Sequence, residues 1–213
     1  MGHIPHVLID DFGAGATIPL TPGMIHHLTR VLRRRSGDPV SYTDGRGLIG
    51  EGVLEAESIL RGAERVVAPP AVTVTVAVAP PAERDRARFL VEKLAELGVS
   101  RLVWVTTRLV QAAAPPAGKV EAWARAALEQ SRGAFLMEVE PGRIEDLERP
   151  LVACDPSGGS FPVGLDRVTV LIGPEGGLVE AEIPRDATRV TLGPRILRIE
   201  TAAVVSAGCL LCR

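Results

Sequence analysis

Arg195, Arg198, Glu200 and Thr201 stand where a Gly-Pro turn passes into an almost wholly apolar stretch, Leu192-Gly-Pro-Arg-Ile-Leu-Arg-Ile-Glu-Thr-Ala-Ala203. Charge so close to a buried element has to be paired or used, because an unpaired ion out of water is costly. One loop earlier a single carboxylate, Glu175, sits in Gly173-Pro-Glu-Gly-Gly177. Three glycines in those five residues permit positive φ and close approach of the backbone to a flat ligand, while the proline fixes the bend. No Gly-Lys-Ser/Thr follows, so this is not a phosphate-binding P-loop, and the G-x-G-x-x-G of a dinucleotide site is also missing. Taken alone the loop reads equally as an ordinary strand-to-helix turn; the second loop makes a ligand gripped from two sides the sharper expectation. A further cluster lies near the N-terminus. His26, Arg30, Arg33 and Arg34 recur at spacings of three and four, in a segment from His26 to Gly37 that has four arginines and no acid. Such a face can dock phosphates, or it can be a solvated helix end favoured by the macrodipole.

The elements that must hold these side chains follow from hydrophobic period and punctuation. Val168–Ile172 and Val190–Leu192 are short apolar runs, each feeding a Gly-Pro pair, and read as strands. In an open α/β sheet, ligands bind outside the carboxyl ends of strands. Residues 178–187 read as a short polar helix and the stretch after Arg195 as an apolar one. Upstream, Val72–Val78 alternates as a strand, Glu83–Leu97 is an amphipathic helix closed by Gly98, and Val99–Thr106 is a second strand. Gln111–Gly118 reads as a loop, Val120–Ser131 as a helix, and Leu136–Val139 and Leu151–Cys154 as short strands. Alternation of this kind implies a parallel sheet covered on both faces. Before Ala68-Pro69-Pro70 the period differs. Short strands surround one helix that Thr21-Pro22 opens and Gly37 ends, with Met24, Leu28, Val31 and Leu32 as its buried face, and Asp44-Gly45 marks a hairpin. Two domains result, residues 1–69 and 70–213.

Composition excludes other classes. Of 213 residues 46% are hydrophobic and 23% charged, a globular balance, and with aromatics at 3% the core must be built from Val, Leu, Ile and Ala. The formal net charge of −2 argues against whole-surface attraction to nucleic acid, though not against a local basic patch. Met1-Gly-His-Ile-Pro-His has neither the charged nor the apolar region of a signal peptide, and no apolar run is long enough to span a bilayer, so a cytoplasmic protein with no membrane partner is expected. Cys154, Cys209 and Cys212 are an odd set, poor for disulfides; the C-x-x-C ends an apolar helix rather than opening one and has no second pair, so packing cysteines and no metal are expected.

The pair Leu-Ile-Gly-Pro-Glu-Gly-Gly177 with Glu180-Ala-Glu-Ile183, and then Leu192-Gly-Pro-Arg-Ile-Leu-Arg-Ile-Glu-Thr-Ala202, resembles the bacterial small-subunit (16S) ribosomal RNA uridine-N3 methyltransferases of the knotted SPOUT class. Glu96-Leu-Gly-Val99, Glu129-Gln-Ser-Arg132, His27-Leu-Thr-Arg-Val-Leu-Arg33 and Thr43-Asp-Gly45 extend the resemblance over essentially the whole chain. It implies a small PUA-like β-barrel domain followed by an α/β methyltransferase domain with a C-terminal trefoil knot. It also implies S-adenosylmethionine bent among three loops, matching Val152–Asp155, Ile172–Gly177 and Leu192–Thr201. The cofactor residues carried over are Cys154, Ile172, Gly173, Pro174, Glu175, Gly176 and Gly177, followed by Leu192, Gly193, Ile196, Leu197, Arg198 and Thr201. A homodimer is implied, with the apolar Ala202–Leu211 helix in its interface, acting on 16S ribosomal RNA of the small ribosomal subunit.

Attack by uracil N3 requires loss of its imide proton and control of the resulting charge. On the resemblance, Glu200 or Glu175 assists deprotonation, Arg198 stabilises charge or orients the base, and Arg132 reaches in from the central motif. His26, Arg30, Arg33 and Arg34 then become RNA-backbone contacts. His6 stands where the family usually has an RNA-contacting arginine, and Ile199, Gly133 and Met137 also depart from the family pattern. The alternatives are a SPOUT enzyme acting on another RNA, or a non-catalytic RNA-binding or assembly factor of the same fold.

Overall fold

The computed structural model describes residues 4–110 and 112–212, so Met1–His3, Gln111 at the head of the Gln111–Gly118 loop, and Arg213 lie outside the described residues. The chain forms two compact units: Met1–Pro69 with Leu128–Leu136, and Pro70–Ala127 with Met137–Arg213.

The first unit is a five-stranded sheet in the order β1-β3-β4-β5-β2, built from β1 (His6–Leu8), β2 (Thr17–Pro19), β3 (Pro39–Thr43), β4 (Leu48–Leu54) and β5 (Ser58–Val66). Strand β1 pairs in parallel with β3, and the other pairs are antiparallel. Val7, Ile9, Ile18, Leu28, Val40, Tyr42, Leu54 and Ile59 fill its core. Leu128–Leu136 belongs here because its backbone is hydrogen-bonded into the sheet's loops: Gly47 donates to the Ala134 carbonyl at 2.9 Å and Leu136 to the Gly45 carbonyl at 2.8 Å. The Glu129 carboxylate also accepts from the Leu8 amide at 2.9 Å.

The basic helix of this unit departs from the expected one. Helix α1 covers only Pro22–His26, capped by the Thr21 hydroxyl, and passes into a π-helical turn at His27–Val31. Its bond from the Leu32 amide to the His27 carbonyl spans five residues instead of four, which turns the following side chains off the expected face. Leu28 stays buried, but Val31 is 58% and Leu32 40% exposed, so these two are not the buried face that an uninterrupted helix predicts. Arg33 then takes a left-handed φ of 55° and ends the element.

The second unit is a six-stranded sheet in the order β11-β9-β10-β6-β7-β8, with every pairing parallel. The strands are β6 (Thr73–Val78), β7 (Arg101–Val105), β8 (Glu138–Gly142), β9 (Leu151–Gly159), β10 (Arg167–Ile172) and β11 (Thr188–Val190). Helices α2 (Arg84–Glu96) and α4 (Ile199–Leu211) pack on each other, and α4 also covers β6 and β10; α3 (Ala117–Ser131) carries the chain from this unit into the first. The opposite face of the sheet packs Ala77, Val103, Val105, Ala153 and Leu171 under Ile144, Leu147, Leu178 and Ile183. That cover is irregular chain with single 3-10 turns at Ile144–Asp146 and Glu180–Glu182, not the polar helix expected over 178–187. Pro184 ends the second turn, since it can neither donate an amide bond nor follow a helical residue easily. Helix α4 also begins later than the apolar run does, leaving Gly193–Arg198 as extended loop before its first turn.

Candidate functional site

The carboxyl ends of β9, β10 and β11 converge on one cavity of about 310 Å³ within the second unit. From β9 come Cys154, Asp155 and Pro156; from the end of β10 and the loop after it, Ile172 through Leu178; from the loop after β11, Thr191 to Gly193 and Arg195 to Leu197. The base of α4 closes it with Ile199 and Ala202.

Each contribution has a local cause. The β9/β11 register jumps from Arg189 opposite Ala153 to Val190 opposite Gly159, so Cys154–Gly158 leave the ladder and are re-aimed as a bulge. Only glycine allows the return, because a Cβ on Gly158 would lie 2.4 Å from the Val190 amide nitrogen. Gly193 has φ +110°, a backbone state that L side chains rarely adopt, and open space where its Cβ would be. Ile196, 94% exposed, stands at the rim.

Charged side chains fasten these loops. The Arg86 guanidinium, from the first turn of α2, makes a fork with Glu200: Nε donates to Oε1 at 3.0 Å and Nη2 to Oε2 at 2.8 Å. The same Nη2 lies 3.0 Å from Oε1 of Glu175 in the glycine loop. Burial disfavours charge on Glu200, yet the hydrogen bonds from Arg86 and from its own backbone amide, with the charges of Arg86 and Arg198, together outweigh it and hold the carboxyl below its usual range. On the other side, Arg189 joins Asp155 of the bulge at 2.7 Å to Glu180 at 2.5 Å. Hydrogen bonds from Ser157, with the Arg189 charge behind them, depress the Asp155 carboxyl. The Glu182 carboxylate accepts from the Arg108 amide at 2.5 Å and from the Val179 amide at 3.0 Å, tying the loop after β7 to the chain beyond the glycine loop. Burial pushes the Cys154 thiol up to about 11, against a 3.5 Å contact with the Ser206 hydroxyl, which marks it as a packed wall rather than a nucleophile.

The expected cofactor residues divide accordingly. Cys154, Ile172, Gly173, Pro174, Glu175, Gly176 and Gly177 all wall the cavity, as do Leu192, Gly193, Ile196 and Leu197. Arg198 and Thr201 do not; both are exposed, Arg198 as the N-cap of α4 and Thr201 on its outer side. Glu200 is also off the wall, 8% exposed and turned to Arg86. Of the expected catalytic set, only Glu175 lines the cavity, and its side chain is half exposed. Arg132 lies in the first unit, in a left-handed conformation, where it donates to the Ile4 carbonyl at 2.5 Å. Asp155, Arg195 and Ile199 fall inside the loops expected to hold the cofactor, whereas Pro156, Leu178, Thr191 and Ala202 lie outside them, as does Arg86 behind the wall.

Of the expected RNA contacts, His26, Arg30 and Arg33 are exposed and Arg34 partly so. His6 is not available to RNA. It is 6% exposed, with Nδ1 2.8 Å from the Ser41 hydroxyl and Nε2 3.2 Å from the Gly133 carbonyl. Desolvation lowers its pKa despite that carbonyl, so it is a neutral ring: Nε2–H donates to Gly133 and Nδ1 accepts from Ser41. An arginine there would need solvent or a phosphate; a histidine fits the core.

A larger cleft of about 640 Å³ lies by the ends of β7 and β8, but its Arg143 and Arg149 are paired with Glu145 and Asp186 and no glycine loop enters it. Among the described residues no group of three or more His, Cys, Asp or Glu could hold a metal ion, and no helix is long and apolar enough to cross a membrane.

The model of a family described as the RNA methyltransferase domain matches residues 68–211. The ribosomal RNA small subunit methyltransferase E of Bacillus subtilis (strain 168) is 26% identical over 226 residues, spanning 87% of this chain and 86% of the relative. Its namesake in Mycobacterium tuberculosis (strain CDC 1551 / Oshkosh) is 28% identical over 238 residues, with 94% and 87% covered. Among solved structures, a ribosomal RNA small subunit methyltransferase E from Neisseria gonorrhoeae, bound to S-adenosyl methionine, superposes with a TM-score of 0.85 at 23% identity over 98% of this chain and 97% of the other.

Proposed function

Because this chain belongs to the RNA methyltransferase domain family, we propose that it transfers a methyl group from S-adenosylmethionine to N3 of a uridine in 16S ribosomal RNA of the small subunit. The observation that carries this reading is the meeting of both glycine loops around one cavity at the strand ends. Relatives of similar length that carry the name ribosomal RNA small subunit methyltransferase E support the substrate class. We read the second unit as a SPOUT domain whose C-terminal loops form a trefoil knot, and the curled five-stranded sheet of the first as PUA-like. A cytoplasmic homodimer goes with that reading.

The cavity suits the donor. Its volume is at the lower end of the roughly 300–1,000 Å³ of small-molecule sites. Cys154, Ile172, Leu192 and Leu197 offer apolar walls, and the backbone at Gly176, Gly177 and Gly193 allows close approach. Bound there, S-adenosylmethionine supplies an electrophilic methyl group. The chain's own residues have to orient uracil, exclude water and remove the N3 proton. Glu175 suits the last task, since its Oε1 accepts from Arg86 while Oε2 has no partner among the described residues. Glu200, with both oxygens on Arg86, holds the loops and is a poor proton acceptor. Arg198, exposed at the N-cap of α4 beside the loop after β11, is the cation we assign to negative charge on the uracil oxygens. His26, Arg30, Arg33 and Arg34 serve the RNA backbone.

The test is direct. The purified protein is incubated with labelled S-adenosylmethionine and either small subunits or naked 16S RNA lacking the modification, and digested nucleosides are identified by mass. N3-methyluridine is expected. Methylation of another position or another RNA would replace the substrate, and donor binding without transfer would turn the protein into an assembly factor.

A further inference from the structure

We infer that Arg86 is a positioning residue for the donor cavity: from α2 it fastens the Gly173–Gly177 loop to the first turn of α4 and so sets the place of Glu175. This rests on the reading of the cavity as an S-adenosylmethionine site. Arg86 belongs to neither glycine motif and does not line the cavity, yet one of its nitrogens is within hydrogen-bond distance of both motifs, 3.0 Å from Glu175 and 2.8 Å from Glu200. The two carboxylates are held unequally. Glu200 is buried in a helix, takes the whole fork, and sits where the helix N-terminus also favours an anion. Glu175 takes a single contact, is half exposed, and rides on a glycine-rich turn closed by the bond from the Gly177 amide to the Pro174 carbonyl at 2.8 Å.

Removing the guanidinium therefore does more than delete a bond. Two carboxylates then face the same vacated place with no cation between them. Glu200 is fixed by α4, so the glycine loop is the part that gives way, and Glu175 leaves the cavity wall with it. Lysine cannot substitute fully, because one ammonium lacks the planar fork that serves Glu200 while reaching Glu175.

The experiment is calorimetric titration of S-adenosylmethionine into the wild type, R86Q, R86K, E175Q and the R86Q/E175Q double variant, at a temperature where circular dichroism shows each folded. The expected result is a donor Kd raised about tenfold or more by R86Q, a loss of the size that a displaced wall produces, with R86K in between. The double variant is expected to bind no worse than R86Q, since the two residues act through one contact. Wild-type affinity in R86Q, or additive losses in the double variant, would overturn the role of Arg86. If R86Q does not fold, R86K and E175Q carry the test, and unchanged binding in both overturns it. A wild type that binds no donor would overturn the cavity reading itself, and this proposal with it.

Discussion

Glu200 and His6 are both buried titratable groups, and they respond to acid through opposite chemistry. The Glu200 carboxyl is held below its ordinary 4.5, so its contribution to stability is complete above about that pH and is lost as pH falls through the depressed value. Glu200→Gln is expected to cost about 2–3 kcal/mol at pH 7, read by urea unfolding, with the difference from wild type shrinking on the acid side. The sign is the same for His6, although there the fold favours the neutral ring over the ion. Its pKa is lowered from 6.5, so the unfolded chain takes up protons first and stability declines as pH drops below about 6.5 toward the folded value. His6→Gln is expected to remove that decline between pH 7.5 and 5.5, whatever its cost at neutral pH; an unchanged slope would mean that His6 titrates alike in the folded and unfolded chain. The glycine-loop walls were legible at this scale because their types and order are specific. Arg86 was not, since its fork partner Glu200 lies 114 positions away and neither residue's neighbours announce the pairing.

Elements decide which face a residue presents. The arginine cluster is evident in the sequence, and so is its capping threonine, but a single extra residue in the turn at His27–Val31 rotates Val31 and Leu32 outward beside Arg30 and Arg33. A π-turn and an α-turn use the same residues, so the spacing that predicted one continuous face could not have revealed the shift. The exposed arginines still make a testable surface. Replacing Arg30 and Arg33 with glutamine is expected to weaken RNA binding and to reduce the salt slope by about one for each phosphate that is no longer neutralised, with donor affinity unchanged. The bulge in β9 is the other element-level device, equally hidden, because the strand expected there stops at Cys154. Gly158→Ala forces a Cβ to 2.4 Å from the Val190 nitrogen. Either β11 or the bulge must move, and a loss of about 1–3 kcal/mol is expected in thermal unfolding together with weaker donor binding.

At the scale of the whole chain, the parallel sheet was readable from alternating strand and helix periods, and its strand order places all three cavity-forming strands side by side as β11-β9-β10. Periodicity cannot give that order, because it records which residues are buried and not which strands are neighbours. Nor can it show that nine residues from the middle of the chain, Leu128–Leu136, complete the N-terminal unit. That insertion has a consequence for how the molecule is made. Chain leaves the ribosome from its N-terminus, and domains ordinarily fold as they emerge. Here the strands of the first unit are all synthesised by Val66, yet the carboxylate of Glu129 in α3 and the carbonyl of Ala134 just beyond it, which complete its hydrogen bonding, come only after β6, α2 and β7 of the second. The first unit holds its whole core early, but gains these last hydrogen bonds only once much of its neighbour has been synthesised.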